Sequence, residues 1–388
     1  MSRQRKTIGL LFVVWVLIGL MPTSVLAHVK WFTEFSFLDR PLSFQEALTP
    51  LFIGFAVASA IAMTATVFID TKLEDLSIYK QLREWLNGHR DQGTLILRIG
   101  MGVTFLLSWQ ADTLLAPYLQ ATPLLGWVQF ILVLCLLFPQ TTPIAGLGTI
   151  ILWLVGVQQF GIFYMLDYIA FVGIGTWLLL SQAKKETTRE LGVPALYFTV
   201  GFALAWLAME KIVYPGWGFD ILQQNPQLSL GFPFEFFATG AAFVEFSLGY
   251  LLIIGLLGRP LSLVITLVFF STTLVFGKIE IIGHTHLHAA LLVFLLYGPG
   301  KYYPAPIDIH RKVSWRMAFV AINYIVLLVV FLGLFTIGAK STYQHTVSEI
   351  VTDEDIALCR NADTEATVDI NGEDVPCNIV LSVSSEQE

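Results

Sequence analysis

Hydrophobic residues occur in long runs along most of this chain, and short polar stretches separate the runs. Most runs have roughly 17 to 24 residues, the length that an α-helix needs to cross a bilayer, and two are slightly shorter. The pattern predicts an all-α polytopic membrane protein with about ten transmembrane helices after residue 27. The predicted spans are 50–69, 94–116, 124–139, 143–159, 161–181, 193–213, 234–257, 260–282, 285–299 and 316–337.

The first 27 residues have the pattern of a secretory signal peptide. Three basic residues precede the apolar core Ile8 to Leu20, and small residues follow up to Ala27. An uncleaved first helix is the alternative interpretation. Cleavage after Ala27 would make His28 the mature N-terminus. Residues 28–93 then comprise an aromatic interfacial segment, the first span and a cytoplasmic loop.

Basic residues predict the orientation, because cytoplasmic loops of membrane proteins are enriched in lysine and arginine. They are concentrated in alternate loops, chiefly 70–93, 182–192 and 300–315. This pattern places the N-terminal segment and the tail, residues 338–388, on the periplasmic side of a bacterial inner membrane. Residues 300–337 are then a cytoplasmic loop and the last transmembrane helix.

The amino-acid composition supports the membrane assignment. It also shows that the negative charge is concentrated in the tail. The chain is 55% hydrophobic and only 13% charged, whereas a soluble domain has about 25% charged residues. The net charge of −7 is uneven, because the tail has eleven acidic residues against Lys340 and Arg360. Nothing predicts a nucleic-acid surface.

The acidic tail contains two of the three cysteines. Cys359 and Cys377 are predicted to form a disulfide, which an oxidising periplasm permits. Residues 366–370 and 377–383 are predicted to form a small β-hairpin, with the turn signal Asn371-Gly372 between them.

The chain also repeats itself. Residues 94–182 and 193–299 each have the pattern of a four-helix unit. Val128-Gln129-Phe130 in the first unit matches Val244-Glu245-Phe246 in the second, each about fifteen residues before a proline. Asp167-Tyr168 in the first unit stands near the position of Gly283-His284 in the second.

The second unit carries a family resemblance. Its helix ending in Glu210-Lys211 and its stretch from Glu245 to Pro260, with the sequence Leu-Leu-Ile-Ile-Gly-Leu-Leu-Gly-Arg-Pro, resemble the DoxX family of four-helix membrane proteins. The resemblance covers about 105 residues well and about 90 in the degenerate first unit. It implies tandem four-helix units and a membrane component of a redox system, such as a quinone-linked oxidoreductase.

Four charged residues are predicted to carry chemistry: Glu210, Lys211, Glu245 and Lys278. Glu245 falls near the bilayer middle, where an isolated carboxylate costs at least about 2.5 kcal/mol. It must therefore be protonated or paired, and we predict a proton relay. A purely structural ion pair is the alternative for Glu245, and an interfacial pair with a snorkelling lysine is the alternative for Glu210-Lys211.

Three histidines lie within five residues, at 284, 286 and 288. Two imidazoles on one helix face, or in one turn, suit copper or zinc. An N-terminal His28 would add its α-amine and ring on the same side of the membrane. The alternative is that His284, His286 and His288 form hydrogen bonds to lipid headgroups or to Glu280.

Three function classes remain open from the sequence. The first is a quinone-linked redox component with a periplasmic or membrane redox partner, and the second is a copper- or zinc-binding or transport protein. The third is a non-catalytic assembly subunit whose acidic tail docks a periplasmic partner. The absence of a Cys-x-x-Cys motif argues against thiol–disulfide chemistry.

Overall fold

The structure is a computed structural model that describes residues 29–33, 35–299, 312–360, 366–370 and 373–384. The predictions of a signal peptide over residues 1–27 and of a metal ligand at His28 fall outside these residues. Most of the loop 300–315 does so as well.

The described chain is almost entirely helical and has one small β-hairpin. The helices are α1 (Phe44–Ala47), α2 (Pro50–Asp75), α3 (Ser77–Asn87), α4 (Gly93–Gln110), α5 (Pro123–Leu137), α6 (Thr142–Phe160), α7 (Ile162–Met165), α8 (Ala170–Leu180), α9 (Glu186–Glu190), α10 (Gly192–Val213), α11 (Pro215–Gln224), α12 (Phe234–Ile254), α13 (Gly258–Phe276), α14 (Lys278–Tyr297), α15 (Val313–Ile350), α16 (Asp353–Arg360) and α17 (Cys377–Ser384). The strands are β1 (Thr367–Ile370) and β2 (Glu373–Pro376). Short 3₁₀ turns occupy Val29–Trp31, Arg90–Gln92, Pro139–Thr141, Leu166–Tyr168 and Pro226–Ser229.

Seven helical stretches of the described chain are long and apolar enough to cross a membrane. Residues 162–180 add an eighth if α7 and α8, bent by 62°, form one broken span. These helices establish an integral membrane protein, but the predicted count of ten is not confirmed. The two remaining predicted spans correspond to α4, which includes Arg98, and α5, whose 15 residues reach only about 22 Å.

The helices of the two predicted units pack in a reciprocal arrangement. In the first unit α4 packs on α5, α5 on α6, and α6 on α8; in the second α10 packs on α12, α12 on α13, and α13 on α14. The first helix of each unit contacts the last helix of the other, α4 against α14 and α10 against α8. The interface between the units therefore brings α8, α10 and α14 close together.

The structure corrects one boundary that affects the candidate site. The predicted spans 260–282 and 285–299 placed His284 in the break between two helices, with His286 and His288 in the first turn of the second. The break occurs earlier, at Gly277, whose φ of +67° is a left-handed conformation that glycine adopts readily. Since α14 begins at Lys278, His284 to His288 lie within this helix, two to three turns from its start.

The charged loops gather at opposite ends of the helices. Leu38 of the N-terminal segment packs against the apolar core of the tail, so both lie at one end. At the other end Arg90 donates a hydrogen bond to the Tyr297 carbonyl (2.8 Å), and Arg316 pairs with Asp70 (3.0 Å). This segregation is the arrangement that the positive-inside pattern predicts.

The tail forms a small subdomain on the end of α15. Cys359 and Cys377 form a disulfide, which confirms the predicted pairing. The predicted second strand, 377–383, is wrong: the strand is β2, and residues 377–384 form the helix α17. Ile370 pairs with Glu373, so β2 begins four residues earlier than the predicted second strand.

Breaking the disulfide is expected to loosen the tail and leave the membrane helices intact. The two cysteines are 18 residues apart, and closing a loop of this size stabilises the folded tail by about 3 kcal/mol in the chain-entropy model. The variant with Cys359→Ser and Cys377→Ser should show faster proteolysis within residues 353–384. Cleavage confined to the membrane-facing loops, with an intact tail, would contradict this expectation.

Candidate functional site: a buried charged cluster

Charged side chains meet at the interface between the two predicted units, and all are buried. We call them the charged cluster, which consists of Lys30, Asp167, Glu210, Lys211, Glu245, Glu280, His284 and His286. None of these side chains is more than 7% exposed. They come from the turn before α1, the turn between α7 and α8, and the helices α10, α12 and α14.

Lys30 reaches into the cluster from the N-terminal segment. Its Nζ donates a hydrogen bond to Asp167 Oδ2 (2.6 Å) and forms an ion pair with Glu210 Oε2 (2.7 Å). The ammonium also lies 4.3 Å from the ring centroid of Tyr164. Burial opposes the charge on Lys30, but the two carboxylates outweigh burial and raise its pKa above its ordinary value.

Lys211 and Glu245 form the second pair, with 2.6 Å between Nζ and Oε2. Lys211 lies near the end of α10, and Glu245 lies near the middle of α12. The two helices approach closely because Gly201 faces Gly249 across their crossing. The pair is buried, so the interpretation of Lys211 as a snorkelling interfacial lysine is wrong.

The α14 helix contributes the third group. Glu280 Oε2 lies 2.5 Å from His284 Nδ1 and accepts a hydrogen bond from Thr272 Oγ1 (3.0 Å). The His284 ring stacks on Phe269, with 4.4 Å between centroids. His286 points to a different neighbour and stacks on Phe171 at 4.0 Å.

Trp31 covers the cluster beside Lys30. Its Nε1 donates a hydrogen bond to Tyr168 Oη (3.1 Å), and its ring lies 5.3 Å from that of His284. Gly283 makes this contact possible, because a Cβ there would lie 2.0 Å from the Trp31 ring. The glycine of the Gly283-His284 motif therefore serves the packing of the N-terminal segment.

A small cavity joins these groups. Asp167, Glu245, His284 and His286 line it together with Tyr168 and Thr272. Its volume is about 20 Å³, enough for one or two water molecules. Asp167 Oδ1 and His286 Nδ1 have no hydrogen-bond partner among the described residues. The cavity is thus lined by one acid from each ion pair, Asp167 of the Lys30 pair and Glu245 of the Lys211 pair.

Among the described residues of the charged cluster, negative groups outnumber positive groups. Its carboxyl groups are Asp167, Glu210, Glu245 and Glu280, and its amino groups are Lys30 and Lys211. The formal charge is therefore −2 with neutral imidazoles, and −1 if His284 is protonated beside Glu280. An uncompensated charge in a membrane interior is costly. The cluster is thus expected to hold at least one additional proton or cation.

The sequence predicted part of this arrangement. Glu210, Lys211, Glu245, His284 and His286 do meet. Lys278 does not join them, because it is exposed at the start of α14 and forms no ion pair with a described residue. His288 lies outside the cluster beside Phe270, with 4.9 Å between ring centroids.

The histidines do not form a metal centre with one another. The described residues contain no group of three or more His, Cys, Asp or Glu side chains that could hold a metal ion. His284 is engaged by Glu280, and His286 packs on Phe171. Copper or zinc binding by these histidines, with or without His28, stays a prediction.

Three cluster members were not predicted as site residues. Asp167 had a signal, because it matches the Gly283-His284 position in the repeat, although that match was interpreted as degeneration. Glu280 is expected beside the histidines, as a charged neighbour and hydrogen-bond partner, but without an assigned role in the chemistry. Lys30 had no signal, since it lies in a short aromatic segment outside every predicted span.

Comparison of the chain with protein-family models, with curated proteins and with solved structures finds no match. The resemblance of the second unit to the DoxX family stays a prediction from the motifs around Glu210 and Glu245.

Proposed function

We propose that this integral membrane protein binds and transfers protons at the charged cluster, as the membrane component of a quinone-linked redox system. The excess of buried carboxyl groups over amino groups carries the proposal. Because burial penalises unbalanced charge, such a cluster takes up protons easily and exchanges them when the balance changes.

Glu245 and Asp167 are the proposed proton carriers. Glu245 is held by Lys211, and Asp167 is held by Lys30, so each acid has a fixed position and a counter-charge. The cavity between them has room for a bridging water molecule. A proton bound at one acid can thus reach the other by a short hydrogen-bonded route.

The quinone itself would bind elsewhere on the protein. Sites for small organic molecules usually occupy about 300–1,000 Å³, and the cavity at the cluster has about 20 Å³. In this proposal the cluster supplies protons to a quinone at the lipid-facing surface. The positive-inside pattern puts the cluster at the periplasmic half of a bacterial inner membrane.

Glu245→Gln is expected to fold normally and to lose the redox-linked proton exchange. Glutamine keeps the shape of the side chain and an oxygen acceptor for Lys211, but it cannot release a proton. The first unit has glutamine at the matching position, where Gln129 hydrogen-bonds Leu115 N (3.0 Å) and Thr113 O (2.8 Å).

The measurement is an infrared difference spectrum of the protein in quinone-containing nanodiscs, recorded on electrochemical reduction of the quinone. The wild type should show a carboxyl band that changes on reduction, and Glu245→Gln should lack it. Glu46→Gln, at an exposed acid, is the matched control and should retain the band. A wild-type spectrum without any carboxyl change would exclude the redox link.

A further inference from the structure

The surroundings of Lys30 have the composition of a binding site for a cation. Two carboxylates, from Asp167 and Glu210, approach its ammonium within 2.7 Å. The face of the Tyr164 ring lies 4.3 Å away. Carboxylates combined with an aromatic face recognise ammonium groups through charge-assisted hydrogen bonds and cation–π attraction.

The occupant of this site comes from outside the helix bundle. Asp167, Glu210 and Tyr164 belong to the broken span at α7–α8 and to α10, whereas Lys30 belongs to the turn Val29–Trp31 that precedes the first span. The ammonium group of Lys30 thus extends from a peripheral segment into a pocket that is lined by residues of the membrane helices.

The pocket contains carboxylate oxygens that accept no hydrogen bond from Lys30. Asp167 Oδ1 and Glu210 Oε1 are buried and have no hydrogen-bond partner among the described residues. Asp167 and Glu210 are 3% and 1% exposed, so bulk water does not satisfy these oxygens. Such groups are costly unless a cation or donor occupies the pocket.

We propose that Asp167, Glu210 and Tyr164 form a binding site for an ammonium ion or a small primary amine, and that Lys30 is its tethered occupant. The site selects N–H donors, because Asp167 Oδ2 accepts a hydrogen bond from the nitrogen that also forms the ion pair with Glu210, and Glu210 has no other hydrogen-bond donor among the described residues. It disfavours quaternary ammonium ions, which have no N–H group and are too large for the space of one lysine Nζ. The proposal does not depend on proton transfer by Glu245.

The test is chemical rescue of the variant Lys30→Ala. Removing the side chain leaves both carboxylates without their cation, so the thermal midpoint in detergent should fall. Methylammonium should then raise the midpoint in a saturable way. With two non-hydrogen atoms, its dissociation constant is expected to be roughly 5–10 mM at the tightest.

Three controls define the outcome. Methylammonium should not stabilise the wild type, where Lys30 fills the site, or the variant with Lys30→Ala and Asp167→Asn. Sodium and tetramethylammonium chloride should not replace methylammonium in Lys30→Ala. Absence of a saturable rise, or an equal rise with tetramethylammonium, would overturn the proposal.

A second variant covers the case in which Lys30→Ala does not fold. In Lys30→Cys with Cys135→Ala, aminoethyl methanethiosulfonate forms a mixed disulfide with the thiol and releases methanesulfinate. The product restores an ammonium group on a side chain close to the length of lysine. We expect it to regain thermal stability, whereas the neutral ethyl reagent should not. Equal stability with both reagents would contradict an ammonium site.

Discussion

Replacing Lys211 with methionine is expected to destabilise the protein by about 3–5 kcal/mol, because the substitution leaves a buried carboxylate without its partner. Lys211 is 3% exposed, and its Nζ lies 2.6 Å from Glu245 Oε2. The cluster already has an excess of acids, so loss of an amino group increases an existing imbalance.

The matched variant is Glu245→Gln, which removes the other member of the same pair. It reduces the excess of negative charge and keeps a hydrogen-bond acceptor for Lys211. We therefore expect a much smaller loss of stability than in Lys211→Met. The double variant, Lys211→Met with Glu245→Gln, should recover much of the stability that Lys211→Met loses.

Reversible denaturation in detergent measures these differences for the wild type and the three variants. The decisive quantity is the difference between the losses in free energy of unfolding of Lys211→Met and Glu245→Gln. If Glu245→Gln were as damaging as Lys211→Met, the pair would be an isolated ion pair and the cluster would have no charge excess.

The second large effect is expected at the crossing of α10 and α12. A Cβ at Gly249 would lie 2.6 Å from the carbonyl oxygen of Gly201 and 2.8 Å from the amide nitrogen of Ala205. These are backbone atoms and cannot rotate away, so Gly249→Leu must separate the two helices. The loss of stability should be roughly 3 kcal/mol or more.

Gly54→Leu is the control for this substitution. Gly54 lies in the transmembrane helix α2, and a Cβ there meets no other atom within 4 Å. This variant should retain wild-type stability, since leucine has the higher helix propensity and faces open space. Similar thermal midpoints for Gly249→Leu and Gly54→Leu would show that close contact at the crossing is not required.

Hydropathy predicted the helices well because burial in a bilayer requires long apolar runs and internal backbone hydrogen bonding. It could not place the break at Gly277. Apolar residues lie on both sides of Gly277 and Lys278, so the average hydropathy does not fall enough there to mark the end of a helix. The predicted boundaries put His284 in the break between two helices and His286 and His288 in the first turn after it, whereas all three lie in the interior of α14. This placement suggested a metal site at the mouth of two helices.

The composition of the cluster was predictable only where charged residues interrupt apolar runs. Glu210, Lys211 and Glu245 stand out for this reason, and so does the histidine motif. Lys30 does not, because its partners Asp167 and Glu210 are 137 and 180 residues away in the chain. Contacts of that range depend on how the units pack, which no local pattern specifies.

The most direct test of the charged cluster is an infrared spectrum of the wild type at neutral pH in H₂O and in D₂O. The charge excess predicts a protonated carboxyl band that shifts in D₂O and is reduced in Asp167→Asn or Glu245→Gln. Exposed acids do not interfere: hydrogen bonds from Ser43, for example, lower the pKa of Glu46. A spectrum in which every carboxyl group is ionised would contradict the account, because Asp167 and Glu245 would then hold no proton to transfer.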